Sequence, residues 1–255
     1  MGEEAGIQFG KPSGEGCRKR NMFHPIIRKM DLDTGRALVR EEFFRGHLVR
    51  MLTVDGAMES AVYKDKNLRD KPPFYYQESM FSLMAEEEVK DILLIGGGGF
   101  TFPRAVLQAC PQVRMRVVEI EGAMVDIARE CLWFDEIYDR EIDKRLFITI
   151  GDGFDYLRES DEKYDLIIND AFSGSTQDMG LLMPDTAEAV KERLRPGGRY
   201  MINLITSRTG EYAMAGMLQK QILSEYFENV ELIPVHPDWK AEQRQNYIVI
   251  AKNNK

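Results

Sequence analysis

Residues 91–106, DILLIGGGGFTFPRAV, pass from an apolar run through four consecutive glycines into a stretch with helical spacing. A strand buried on both faces reads as such a run, and glycine lets the following turn approach a ligand closely. The next helix turns its unpaired N–H groups toward the same place. From Val89 onward this strand–helix alternation repeats. RMRVVEIE, RLFITIGDG, YDLIINDAF and RYMINLI are further strand signals. FPRAVLQAC, AMVDIARECLWF and DTAEAVKERL are expected helices, the last stopped by RPGG. A long helix from about Glu211 to Tyr226 leads to NVELIPVH and NYIVIAK. A loop rather than a helix separates these last two strands, so they are expected to pair antiparallel.

That ending distinguishes a seven-stranded methyltransferase-type sheet from a plain dinucleotide-binding sheet. The expected fold class is α/β, a class I S-adenosylmethionine-dependent methyltransferase-like (Rossmann-type) seven-stranded sheet with a small N-terminal β appendage. The appendage is predicted by GRALVREEFF and GHLVRMLTVDG, with a break at Asp55-Gly56. A charged linker ends at Pro72-Pro73, and FYYQESMFSLMAEE then has helical spacing. The expected division is a flexible tail at 1–21, a β segment and linker at 22–73, and a nucleoside-binding catalytic domain at 74–255.

A chain of 255 residues suits one large α/β domain with an appendage. The net charge of −8 argues against a nucleic-acid partner, which needs a basic face to displace counterions. Arg18, Lys19 and Arg20 form a basic run, expected to be a solvated tail. No apolar run reaches the roughly 20 residues of a membrane helix, so no membrane partner is expected. The N-terminal stretch also lacks the apolar centre of a secretory signal. Cys17, Cys110 and Cys131 are odd in number without a CxxC, which predicts reduced thiols and a cytoplasmic setting. His24, His47 and His236 lie far apart, and no metal is expected.

Ligands of an open parallel sheet sit beyond the carboxyl ends of its central strands. Gly96, Gly97, Gly98 and Gly99 follow the first strand there, and Glu119 closes the second at the spacing of a ribose-binding carboxylate. Asp152 in GDG after the third strand, Asp165 just before the fourth and Asp170 just after it complete four acids expected at such ends. Each has a plainer reading: a solvated strand end for Glu119, a helix cap for Asp152, a turn cap for Asp170. NAD is the competing ligand. The third glycine of GxGxxG would fall at Thr101, so the pyrophosphate fingerprint is imperfect, and an adenosine without diphosphate fits better.

On these residues the chain resembles the spermidine synthase family, the polyamine aminopropyltransferases, from about Leu52 to Lys252. YQE stands intact at Tyr76-Gln77-Glu78, and LTVDGAMES is similar to the strand-turn before it. LIGGGG resembles the family's IGGGDGG, VVEIE its VEID, GDGFDYL its GDGFEF, and YDLIINDAFSG its YDVIIVDSSDP. The resemblance implies that Gln77, Glu119 and Asp152 hold the nucleoside, with Ile120, Gly153 and the glycine turn beside them. It implies Asp170 at the reacting centre, where it also borders the donor, and Tyr76 orienting the acceptor nitrogen. It further implies a homodimer or tetramer. GGGxFT and DAFSG look like a spermidine synthase-like branch whose members are often described as methyltransferases.

Two departures concern the chemistry. The family's acid inside the glycine turn is Gly99 here, and the second acid of its DSSD is Ser173. An acid at 99 would attract the ammonium of decarboxylated S-adenosylmethionine and repel the carboxylate of the intact donor. Unit charges ~4 Å apart at an effective dielectric near 20 interact by about 4 kcal/mol before desolvation. Its loss predicts a site compatible with intact S-adenosylmethionine and transfer of methyl to a small-molecule acceptor, an amine on the family's pattern. The alternatives are aminopropyl transfer from the decarboxylated donor, a catalytically silent nucleoside-binding protein, and an oxidoreductase. Both transfers are SN2 displacements from a sulfonium, so the protein must align the reactants and remove a proton, with Asp170 the expected base. Phe100 is expected to pack, Phe74, Tyr75 and Tyr76 have a core reading as aromatics, and His236, Asp238 and Trp239 suggest an acceptor lid.

Overall fold

In DILLI, alternate side chains point to opposite faces of the strand, and both faces are buried. Ile92 and Leu94 enter one core layer, with Phe100, Val106, Leu107 and Phe134. Leu93 and Ile95 enter the other, with Leu157, Val190, Leu204 and Leu223. A computed structural model shows the architecture and describes residues 25–86, 88–138, 141–173, 176–177 and 180–253. The tail at 1–21, with its basic run and Cys17, lies outside the described residues, as do His24 and the side chain of Ser173.

Four strands come first: β1 (Ile26–Leu32), β2 (Gly35–Phe44), β3 (His47–Val54) and β4 (Ala57–Tyr63). They form an antiparallel sheet in chain order. Both Asp55 and Gly56 take left-handed backbone angles (φ 48° and 84°), as the tight hairpin between β3 and β4 requires. The sequence reading missed β1, whose side chains are exposed or half-buried, with Met30 and Leu32 packed against the appendage core.

The remainder alternates: α1 (Tyr75–Met84), β5 (Asp91–Ile95), α2 (Thr101–Ala109), β6 (Arg114–Glu119), α3 (Gly122–Cys131), α4 (Asp135–Tyr138) and β7 (Leu146–Ile150). Then come α5 (Gly153–Glu159), β8 (Tyr164–Asn169), the two-residue strands β9 (Phe172–Ser173) and β10 (Thr176–Gln177), and α6 (Pro184–Arg193). The chain closes with β11 (Leu194–Thr206), α7 (Ala213–Tyr226), β12 (Asn229–Pro234) and β13 (Gln245–Lys252). Seven strands form the main sheet in the order β12-β13-β11-β8-β5-β6-β7. Strand β13 is antiparallel to both β11 and β12, as the loop between the last two strands predicted. The expected α/β class, methyltransferase-like sheet and N-terminal β appendage are all present. RPGG does follow the end of α6, but it lies within the start of strand β11, where the pairing with β8 shifts register.

The appendage packs on the second domain layer rather than standing apart. Ala37, Val39, Leu52, Val54 and Val62 share a core with Met124, Ile127 and Leu132 of the α3 region. Trp133 is sandwiched between the guanidinium groups of Arg50 and Arg69, 3.8 and 4.0 Å from its ring centre. Among the described residues no helix is long and apolar enough to cross a membrane.

Candidate active site

Strand β5 ends where β8 ends, and side chains at Gly96, Gly97 and Gly99 of the turn would clash with their neighbours. A Cβ on Gly96 would lie 2.5 Å from the Asp170 carbonyl oxygen, and Gly96 has a φ of +90°. From the turn, the N–H groups of Gly97 and Gly98 donate to one Glu119 oxygen at 2.7 and 2.9 Å, while Glu121 N–H donates to the other at 3.0 Å. Burial pushes the Glu119 carboxyl above its ordinary pKa, and these three donors oppose the rise. Ile120, beside it, is 58% exposed on the same rim.

Gly99 has a packing explanation. A Cβ there would lie 2.5 Å from Leu132 Cδ1 and 2.6 Å from both Cβ and Oγ of Ser60 in β4. Next to it, Phe100 is fully buried in the left-handed conformation (φ 57°), with its ring 4.8 Å from that of Phe134. Phe100 therefore packs, as expected, and does not line the cleft. Thr101 Oγ1 donates to the Ala61 carbonyl and meets Ser60 Oγ at 2.8 Å, which pins β4 across the turn.

At the end of β8, Asp170 accepts from Tyr76 Oη at 3.1 Å on one carboxyl oxygen and from Asn203 Nδ2 at 2.8 Å on the other. Both donors are neutral. Burial outweighs them and lifts the Asp170 pKa to about 7. Burial, followed by the charge of Asp170, drives the Tyr76 phenol well above its usual value, so it stays a donor. Gln77 Nε2 donates to the Tyr76 oxygen at 3.3 Å. That orientation follows from the Tyr76 hydrogen being committed to Asp170. It leaves Gln77 Oε1 buried without a partner among the described residues.

Asp152 is exposed and caps α5: its Oδ1 accepts from Phe154 and Asp155 N–H at 2.8 and 3.0 Å. The plainer helix-cap reading holds for this oxygen. A Cβ on Gly153 would lie 2.3 Å from Ile95 Cγ2, so α5 packs closely on β5 there. Asp165 is the correction in this set. It lies at the opposite, amino end of β8, bound to Arg195 and to the N–H groups of Lys90 and Asp91, each at 2.9 Å.

Sequence reading missed three residues. Glu59 of β4 sits against the turn, and its Oε1 is buried without a hydrogen-bond partner among the described residues. Burial, then the charges of Asp170 and Glu119, raise its pKa to about 8. Asn203 interrupts the apolar run of β11, and its own oxygen accepts from Asn246 Nδ2 at 2.8 Å. Asn203, a polar residue in the middle of the buried run of β11, was an available signal, whereas Glu59 and Asn246 lie near the starts of β4 and β13 and gave none. Of the suggested lid, His236 and Trp239 stack with ring centres 4.2 Å apart, and Tyr75 meets His236 edge-on at 4.9 Å. The core reading holds for Phe74 at 8% exposure and fails for Tyr75 at 46%. Among the described residues, no three His, Cys, Asp or Glu side chains converge to hold a metal.

The spermine/spermidine synthase domain profile matches residues 73–236. A probable polyamine aminopropyl transferase of Bifidobacterium longum (strain NCC 2705) is 28% identical over 169 residues, covering 66% of this chain and 35% of that protein. The eEF1A lysine and N-terminal methyltransferase of Danio rerio is 31% identical over 137 residues, covering 49% of this chain and 19% of that protein. The chain thus spans about a third and a fifth of the lengths of these two curated relatives. The crystal structure of a probable spermidine synthase from Corynebacterium glutamicum ATCC 13032 matches with a TM-score of 0.73 at 20% identity. That match covers 89% of this chain and 80% of the other, and it speaks to the fold alone.

Proposed function

The chain belongs to the spermine/spermidine synthase domain family, and from that premise we propose that it is an S-adenosylmethionine-dependent transferase moving a methyl group to a small-molecule amine. Its relatives include both aminopropyltransferases and methyltransferases. The observation that carries the reading is Asp170, raised to about 7 and flanked by Tyr76 and Asn203 at the strand end beside the glycine turn. A carboxylate poised near neutrality can take a proton from an ammonium acceptor as its nitrogen becomes the nucleophile.

The residues fit a nucleoside sulfonium on two counts. The turn offers backbone at close range, and the buried Oε1 atoms of Gln77 and Glu59 lack donors. In this reading Gly96–Gly99, Glu119, Ile120, Asp152, Gly153 and Gln77 hold the nucleoside, and Asp170 borders it. When bound, the sulfonium supplies an electrophilic carbon and a neutral leaving group. Tyr76 keeps Asp170 Oδ2 oriented, and Asn203, itself held by Asn246, orients Oδ1. No acid catalyst is needed for the leaving group.

Glu59 favours a second reading. It returns an acid to a donor pocket that lacks one at Gly99, and so favours an aminopropyltransferase acting on a polyamine with decarboxylated S-adenosylmethionine. Single-turnover assays with each donor and a panel of amines, read by thioether product, separate the two. S-adenosylhomocysteine formed from the intact donor supports methyl transfer. Methylthioadenosine formed only from the decarboxylated donor reverses the order. The cytoplasmic setting and the homodimer or tetramer are carried as proposals on the same premise, with sedimentation velocity the check on assembly.

A further inference from the structure

We propose that Glu59 exchanges a proton for the positive charge of a sulfonium ligand, so that binding of the donor, but not of its thioether product, releases a proton from the site. The proposal rests on the nucleoside-donor reading above.

Strand β4 brings Glu59 over the glycine turn. Its carbonyl oxygen lies 3.8 Å from where a Gly98 Cβ would be, and the next residue, Ser60, contacts Gly99 and Thr101. The charged groups acting on Glu59 are Asp170 from the end of β8 and Glu119 from the end of β6, both acids. Tyr76 of α1 also feels the Glu59 charge and is itself a neutral phenol. Among the described residues no cation acts on Glu59, and a carboxyl that feels two other carboxylates does not ionise cheaply.

Hydrogen bonding decides which one keeps the proton. Asp170 receives Tyr76 and Asn203, one on each oxygen. Glu119 receives three backbone N–H groups. Glu59 has a buried oxygen with no partner at all among the described residues. A donor to the charged form favours ionisation, so the carboxyl lacking one is the first to be neutral. The second sign of a ligand is Gln77, 4% exposed, whose Oε1 is an unpaired acceptor while its Nε2 faces the Tyr76–Asp170 pair. Unpaired buried acceptors are costly and call for a ligand with N–H groups or positive charge.

The balance is simple. The Glu59 O–H bond breaks as the sulfonium arrives, the proton passes to solvent, and carboxylate and sulfonium then compensate each other. Transfer of the alkyl group returns an electron pair to sulfur, leaving a neutral thioether, and the carboxylate takes a proton back. Because the free carboxyl is raised to about 8, sulfonium affinity rises with pH up to that value and levels above it. Thioether affinity stays flat over the same range.

Titration calorimetry near neutral pH, in two buffers of different ionisation enthalpy, counts the protons. S-adenosylmethionine and S-adenosylhomocysteine share nucleoside, ammonium and carboxylate, and differ in the methyl group and the sulfur charge. The expected result is release of up to about one proton with the first and close to none with the second. Glu59→Gln, near-isosteric with the protonated acid, removes most of the release and keeps thioether binding. Equal proton counts for the two ligands overturn the proposal, as does release that persists in E59Q. If both ligands bind without buffer dependence, Glu59 alone is misassigned. If neither binds the wild type, the donor reading fails and this inference with it.

Discussion

Asp165 and Asp170 stand at opposite ends of one strand, and their chemistry differs completely. At the amino end, burial pushes the Asp165 carboxyl up, but Arg195 and two backbone N–H groups outweigh it and hold the pKa below the ordinary value. At the carboxyl end, the side-chain donors to Asp170 are the neutral Tyr76 and Asn203, and burial wins. The same side chain on the same strand becomes an anchor in one place and a base in the other. What separates them is a cation within bonding distance. Asp165 ties β8 to the start of β5 and the turn into β11, whereas Asp170 spends stability to stay reactive.

Breaking the contrast at Asp170 should have the largest effect. Asp170→Asn removes the base and should lower turnover by about 10²- to 10⁴-fold, with thioether binding retained. Steady-state kinetics alongside calorimetry check this, and near-normal turnover would remove Asp170 from the chemistry. Pushing a side chain between the ends of β5 and β8 comes next. Gly96→Ala must place a Cβ against the Asp170 carbonyl at a positive φ, and should cost about 1–3 kcal/mol in urea unfolding. Gly99→Asp should cost a similar amount, about 1–3 kcal/mol, because Ser60 and Leu132 occupy the space. Its effect on donor choice is therefore not a clean reading of charge.

Asp165→Asn should cost about 1 kcal/mol near neutral pH, discounted for exposure, and leave turnover unchanged. The Asp165 contribution is present above its unfolded pKa and disappears as pH falls through the lowered folded value. Asp170 has the opposite sign: its raised pKa favours the folded state at low pH, and that advantage is lost as pH rises through about 7. Asp170→Asn should accordingly gain on wild type in urea stability as pH rises to that point. A constant difference across the range would sink the assignment. The smallest expected change is at Asn203. Asn203→Leu removes a donor to the ionised form, so the acid limb of the rate profile should move to higher pH.

The strands that form the centre of the sheet were readable because burial on both faces leaves an uninterrupted apolar record, as in DILLI and YDLIIN. β1 left no such record, since only one face of it is covered, and that only in part. Asp165 was misplaced because a strand signal marks where a strand runs without saying which end of it a flanking acid occupies. Glu59 was quoted inside LTVDGAMES and assigned no role, because its neighbours Asp170 and Glu119 are far away in the chain.

Local chemistry along the chain was enough for the class of fold, the antiparallel ending and the acids beside the glycine turn, since periodicity and turn chemistry act between neighbours. Tertiary structure alone decided which carboxyl is paired, which is orphaned and which titrates near neutrality. Those properties depend on burial and on polar and charged groups brought together from β4, β6, β8 and α1, and no short stretch of sequence contains them.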